Sequence, residues 1–377
     1  MDIQQFLKVM VNRSASDGFL TVASEPVIKV DGELIKLDEE VLGAEQVGAL
    51  IDGTLSDVQR REFREHHECN YAINDDQFGR FRASAFIQRG LPGLALRRIS
   101  AEIPSIEDLN LPPIIEKLAM IKRGLVIFVG GTGTGKSTSL ASMIDYRNRN
   151  SHGHIITVED PIEFIHSHKG CLMTQREVGI DTESYEVALK NTLRQAPDVI
   201  MIGEVRTAET MQAALSFAET GHLCLCTLHA NNANQALDRI QSFFPEGKQK
   251  QVWMDLSLNM KAMVAQQLLP RRDGDGRTPV IEVLLSTPLI QDHIRKGEVH
   301  MIKELMERST ELGMQTFDQS LVEAYKKGLI TDEQAERNAD SGNDVRLQIK
   351  LHERGQSAYR DGADLDLEVE RTRQRGM

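Results

Sequence analysis

Two α/β domains in series are what this sequence predicts, the second built on a parallel sheet with helices over both faces. Three observations point there. Gly130 to Ser137 read GGTGTGKS and follow an apolar run, Gly124 to Gly130 (GLVIFVG), of the kind that forms a buried parallel strand. Beyond it, short apolar runs alternate with segments of helical spacing, the order that yields a parallel sheet. Upstream, Ile103 to Pro113 (IPSIEDLNLPP) carries three prolines and no regular period, which sets a linker between the domains.

The first domain covers residues 1–102. Asp2 to Ser16 has helical spacing through Ile3, Phe6, Leu7 and Met10, and Phe19 to Ala23 and Val27 to Val30 read as strands. Asp31-Gly32 is a tight-turn signal leading into a strand over Leu34 to Leu37. Helical segments follow at Ala44 to Leu55 and Ser56 to His66. Tyr71 to Ile73, Gly79 to Ile87 and Gly93 to Ile99 then alternate as strands of one sheet.

After the linker at 103–113, the second domain occupies residues 114–339. Ile114 to Ile121 reads as a short helix ahead of the glycine-rich loop, and Ser137 to Tyr146 as the helix after it. Ile155 to Val158, Asp198 to Ile202 and Leu223 to Thr227 are strands, and in such a sheet ligands bind at the strands' carboxyl ends. From Met260 to Leu329 the sequence predicts mainly helix, with one strand at Val280 to Leu284. Residues 340–377 are rich in charge and thin in large apolar side chains, and read as a mobile tail.

At 377 residues, 40% hydrophobic and 27% charged, the chain has room for two or three cores. No apolar run reaches the roughly 18 residues that span a bilayer, and the N-terminus lacks the basic flank and long apolar stretch of a secretory signal, so a cytoplasmic location is expected. The net charge of −12 speaks against a surface built for nucleic acid, which needs clustered Lys and Arg. Four cysteines, Cys69, Cys171, Cys224 and Cys226, make no disulfide framework at this size and read as reduced thiols.

The glycine-rich segment is a P-loop, and by itself it implies a bound nucleotide. Gly130, Gly131, Thr132, Gly133, Thr134 and Gly135 let the backbone curl its N–H groups toward phosphate oxygens, with Lys136, Ser137 and Thr138 opening a helix whose positive end adds to the cradle. Lys136 reaches the β- and γ-phosphates and the Ser137 hydroxyl can ligate Mg²⁺. Hydrolysis also needs acidic groups. The run DVIMIGEVR, Asp198 to Arg206, delivers Glu204 just past a strand end expected beside that of the P-loop strand, to hold Mg²⁺ through water or polarise the attacking water. Val158 to Glu163 (VEDPIE) leaves Glu159, Asp160 and Glu163 at the sheet rim. Glu163 ranks first as general base and Glu159 second, with Asp160 before Pro161 suited to cap a turn.

His222 and His229 bracket the strand Leu223 to Thr227; His229, at its carboxyl end, is placed to sense the γ-phosphate or to link it to a neighbouring element. His222, Cys224 and Cys226 share a strand face, but ligands on adjacent rungs of one strand do not converge tetrahedrally, so the cysteines read as small buried hydrophobes. An arginine supplied in trans often meets the charge of phosphoryl transfer. Arg80 and Arg82 share one strand face, Arg97 and Arg98 lie on the next strand, and Arg194 and Arg206 fall nearer the P-loop; the Arg80/Arg82 face suits either a neighbouring subunit or plain solvent.

Four motifs in this order, the P-loop, ITVEDPIEF, DVIMIGEVR and TGHLCLCTLH, resemble those of the secretion and pilus superfamily of hexameric ATPases, most closely the type IV pilus retraction motors of the PilT/PilU type. The resemblance runs from SDGFLTVASEPVIKVDGEL to near Ala339. It implies a PAS-like N-terminal domain joined to a RecA-like ATPase domain in a homo-hexameric ring, with arginines matching Arg80, Arg82 and Arg97 approaching nucleotide between domains. It further implies a Walker B role for Glu204, a catalytic glutamate in the acidic box, and docking on an inner-membrane pilus platform protein, hence a peripheral association with that membrane. The work implied is pilus retraction and twitching motility. Where retraction motors carry AIRNLIRE, this chain has LIQDHIRK at Leu289 to Lys296, with only Ile290, Ile294 and Arg295 matching. That departure and the tail are closer to the PilU branch. They suit an accessory motor acting with a related retraction ATPase, or else a ring subunit that mainly binds and modulates it. An assembly or secretion ATPase, the third reading, predicts zinc-binding cysteine pairs that the sequence lacks.

Overall fold

Alternation of apolar and polar residues builds the first of the chain's two units. In the computed structural model, which describes residues 2–354 except 31, 100, 101 and 275, this unit comprises Met1–Ile103 together with Pro161–Ser167 and Arg176–Glu183. Its strands are β1 (Asp17–Thr21), β2 (Val27–Val30), β3 (Glu33–Lys36), β4 (Glu68–Asp75), β5 (Gly79–Gln88) and β6 (Leu91–Arg98), ordered β3-β2-β1-β6-β5-β4 and antiparallel throughout. Along β5, Phe81, Ala83 and Ala85 are buried, while Arg80, Arg82 and Ser84 lie on the less buried face. The helices Ile3–Asn12 and Ala44–Asp52 cover the apolar face with Phe6, Leu7, Met10, Val47 and Ile51. Asp2 caps the first of them by accepting from the Gln5 N–H. The turn expected at Asp31-Gly32 falls partly outside the described residues, at Asp31.

The second unit holds the rest of the chain around a seven-stranded sheet: β7 (Gly124–Val129), β8 (Gly153–Glu159), β9 (Cys171–Glu177), β10 (Val199–Ile202), β11 (Leu223–Leu228), β12 (Met260–Pro270) and β13 (Arg277–Leu285), in the order β13-β12-β7-β11-β10-β8-β9. The run from β12 through β7, β11 and β10 to β8 is parallel, and β13 adds to β12 antiparallel. Every residue of β7, β10 and β11 is buried, as a strand covered on both faces requires. The two residues that end β9, Arg176 and Glu177, belong to the first unit.

Three expectations are corrected. Met260 to Pro270 is a strand, not part of a mainly helical stretch; MKAMVAQQLLP is made of good helix formers, and pairing with β7 and β13 overrides their propensity. The end of β10 does not lie beside that of β7, because β11 is inserted between them. The charged tail does not begin at 340: residues 342–354 are helical, with Val345 and Ile349 buried, and the buried Asp318 carboxylate accepts the backbone N–H groups of Asp340 and Ser341 at the helix start. The rest of it mixes charged side chains with the exposed Leu347 and Leu351, which hides a two-residue apolar anchor from a reading of composition.

Candidate nucleotide-hydrolysis site

The P-loop leaves the carboxyl end of β7 and closes on the helix Lys136–Asn150. Two glycines are obligatory by contact. A Cβ at Gly130 would stand 2.4 Å from the Thr134 hydroxyl and 2.7 Å from the Gln266 carbonyl, and one at Gly135, where φ is +85°, would stand 2.7 Å from the Gln266 amide nitrogen. A loop this tight brings backbone N–H groups and the helix's first turn to one place, so the residues fit a polyphosphate. The Lys136 ammonium donates to the carbonyls of Gly130 (2.8 Å) and Gly131 (2.6 Å), which hold it at the loop. Burial pulls its pKa down, against the opposing charge of Glu204. Ser137, the second residue of the helix, is exposed at the same mouth.

Gln266 is a site-building residue that sequence reasoning missed. It lies buried on β12, with its backbone and amide against Gly130 and Gly135, and its Oε1 accepts from the Ser139 hydroxyl at 2.7 Å. The available signal was a polar pair, Gln266 and Gln267, inside an otherwise apolar run.

Glu204 follows β10 on a backbone pinned from both sides. Gly203 N–H donates to Val158, Thr227 Oγ1 donates to the Gly203 carbonyl, and Val205 N–H donates to Thr227. The Tyr185 hydroxyl, also missed in the sequence, takes the Glu204 N–H, and burial among Asp160, Glu159 and Glu204 pushes its pKa far up. The Glu204 carboxylate lies 3.3 Å from His229 Nε2 and accepts from Arg206 at 2.7 Å. Burial pushes the carboxyl up, but the Arg206 hydrogen bond and the charges of His229, Arg206 and Lys136 outweigh it, holding Glu204 below the usual range. His229 is pulled down by burial and by Lys136, so at neutral pH it meets Glu204 as a neutral imidazole. Lys136, Glu204 and His229 therefore converge although β11 separates the outer two strands, because β11 itself brings His229 to the carboxyl edge.

The two leading acidic-box residues are in different settings. Glu159 ends β8, is buried, and accepts from Thr157 Oγ1 (2.6 Å) and Gln175 Nε2 (3.2 Å). Glu163 is exposed and belongs to the Pro161–Ser167 segment of the first unit. Cys224 and Cys226 are fully buried, with burial pushing the Cys226 thiol to about 12. His222 lies at the opposite end of β11 from His229, its Nδ1 at 3.1 Å from the Phe217 carbonyl.

The arginines of the first unit differ as well. Arg97 faces Asp17 on one side and Arg82 on the other in the strand register, and its Nε donates to Asp17 at 2.7 Å with the side chain 64% exposed. Asp17, Lys29, Asn70, Arg82, Ser84 and Arg97 help line a cavity of about 310 Å³ on that sheet face. Arg80 is only 17% exposed, and its Nη2 donates to Glu177 at 3.0 Å.

With this geometry in place, the Type II/IV secretion system protein family matches residues 107–337. Over 351 residues the chain is 63% identical to the type IV pilus ATPase PilU of Pseudomonas aeruginosa, covering 93% of this chain and 92% of that one. Over 339 residues it is 38% identical to the type IV pilus retraction ATPase PilT of the same organism, covering 90% and 98%. A crystal structure of the pilus retraction motor PilT with bound ADP superposes with a TM-score of 0.85 at 38% identity, over 90% of this chain and 98% of that chain, which shows a mixed α/β, RecA-like ATPase fold.

Proposed function

The chain belongs to the PilT/PilU family of twitching-motility ATPases, and from that premise we propose that its ATP hydrolysis powers retraction of a type IV pilus, as an accessory partner of a related retraction motor. The observation that carries the reading is the convergence of Lys136, Glu204 and His229 at the carboxyl edge of β7, β10 and β11, close enough that Glu204 feels both Lys136 and His229 and that Lys136 lowers the His229 pKa. In this reading Gly130 to Thr138 would cradle the phosphates of ATP, and Ser137 with Glu204 would hold Mg²⁺, which would supply charge neutralisation for phosphoryl transfer. Lys136 steadies the γ-phosphate. Glu163 takes the proton of the attacking water, and Glu159, already engaged by Thr157 and Gln175, shapes the box. His229, whose Nε2 lies 3.3 Å from the Glu204 carboxylate, reports the state of the γ-phosphate.

Arg82 and Arg97 meet the developing charge from a neighbouring copy in a homo-hexameric ring; the exposed Arg97, steadied by Asp17, supports that role. The first domain, residues 1–102, would be PAS-like, and because Ile106 and Leu111 are buried in the second unit's core, only the start of the linker 103–113 would be left to flex. Among the described residues no helix is long and apolar enough to cross a membrane, which suits a cytoplasmic motor docked on an inner-membrane platform protein. The helix Pro288–Lys296, with exposed Leu289 and an Asp292–Lys296 ion pair of 2.6 Å, supports a partner surface unlike that of the retraction motor.

The test is pilus retraction in cells that keep the related motor and carry Lys136→Ala in this chain. The proposal expects slower or weaker retraction with normal protein levels. Wild-type retraction by that variant would mean the chain serves as a scaffold whose own hydrolysis is dispensable.

A further inference from the structure

The first unit contains an ion pair that the hydrolysis site described above does not use. Glu177 ends β9, and the backbone around it forms a tight turn: its N–H donates to Asp181 Oδ2 at 2.9 Å, and the N–H groups of Asp181 and Thr182 return to its carbonyl. The side chain leaves that turn and is 4% exposed. Its carboxylate accepts from Arg80 Nη2 on β5 and from the backbone N–H of Ile162, and the charge of Arg82 also reaches it. Ile162 is itself buried, and the next residue is Glu163. Arg80, Ile162, Glu163 and Glu177 all belong to the first unit, although the last three come from segments that interrupt the second.

We propose that Arg80 is a positioning residue for hydrolysis: through Glu177 it fixes the Ile162 peptide, and so the backbone from which Glu163 projects. The inference rests on Glu163 being the general base. Glu163 is exposed, so its own side chain gains little from packing, and its aim depends on the peptide that carries it. A buried ion pair is weak evidence for stability but a good device for fixing one geometry. Arg80 fits that description, since its Nη2 is given at 3.0 Å to the buried carboxylate of Glu177 and little of either side chain reaches solvent. An arginine that reaches a neighbour's phosphate must also be free to leave. Arg97 is exposed enough to do so, whereas Arg80 would have to abandon a carboxylate that water scarcely touches.

The experiment is single-turnover ATP hydrolysis by the full chain, with ADP affinity measured alongside, for Arg80→Ala and Glu177→Gln, each alone and combined with Glu163→Gln. A displaced base predicts that each single variant loses turnover by about 10- to 100-fold. ADP affinity should hold and Arg80→Lys should recover much of the loss. In the Glu163→Gln background neither change should cost anything further, because residues acting as one unit are not additive. Losses that multiply would mark Arg80 as a group meeting phosphate itself and overturn the positioning role. So would full turnover by Glu177→Gln, a nearly isosteric change that still reports if Arg80→Ala fails to fold. Full turnover by Glu163→Gln alone would instead overturn the base assignment, and the positioning role with it.

Discussion

Replacing Glu204 with alanine separates the chemistry of the site from its architecture. The carboxylate's two side-chain partners are Arg206, which is mostly exposed, and His229, which is about one-third exposed. Solvent-screened pairs of this kind contribute about 0–1 kcal/mol each. The backbone around Glu204 is held by Val158, Thr227 and Tyr185 independently of its side chain. The fold should therefore lose at most about 1–2 kcal/mol, a fall of a few degrees in melting temperature. Removing a preorganised group that stabilises transition-state charge costs about 10²–10³ in turnover, or roughly 3–4 kcal/mol of barrier. The assay pairs steady-state Mg-ATP hydrolysis with ADP binding and thermal melting. The reasoning predicts lost turnover with binding and melting nearly intact. Parallel loss of binding, turnover and stability would refute it by making Glu204 a structural residue.

Three further outcomes follow from the geometry. Gln266→Leu removes the partner of the buried Ser139 hydroxyl, a loss of about 1–3 kcal/mol, and loosens the wall behind Gly130 and Gly135; melting should show the first effect and ADP affinity the second. Val345→Ala should destabilise the chain by about 1–3 kcal/mol in denaturant unfolding, because that side chain is fully buried in helix 342–354. Glu282, buried on β13 and accepting from Ala233 N–H at 2.7 Å, has its pKa pushed up by burial to about 7. Its folded value exceeds its unfolded value of 4.5, so the folded chain holds the proton more tightly. Stability from this group is then full below pH 4.5, falls as pH rises toward about 7, and is flat beyond. Melting temperature measured across that window should fall for the wild type and lose that slope in Glu282→Gln.

The parts of the site that were legible in the sequence are those whose environment is uniform. β7, β10 and β11 are buried on both faces, so they read as unbroken apolar runs, and Gly130, Glu204 and His229 can be placed at or just past their ends. β12 was not legible, because Met, Ala, Gln and Leu favour a helix until β7 and β13 supply partners. Strand order was also out of reach. The insertion of β11 between β7 and β10 depends on which way the crossovers wind, and no local pattern records it. Gln266 and Tyr185 act on Gly135 and Glu204 from far along the chain, and Arg80 pairs with a glutamate 97 positions away. A residue's type and spacing show what chemistry it can do, whereas such long-range partners decide which of several equal candidates is free to do it.

The most direct measurement is Mg-ATP turnover by the purified chain beside Lys136→Ala. The Lys136–Glu204–His229 site predicts sustained phosphate release by the wild type and none above background in the variant. Equal release by both, or none by either with ADP still bound, would contradict the assignment of hydrolysis to this site.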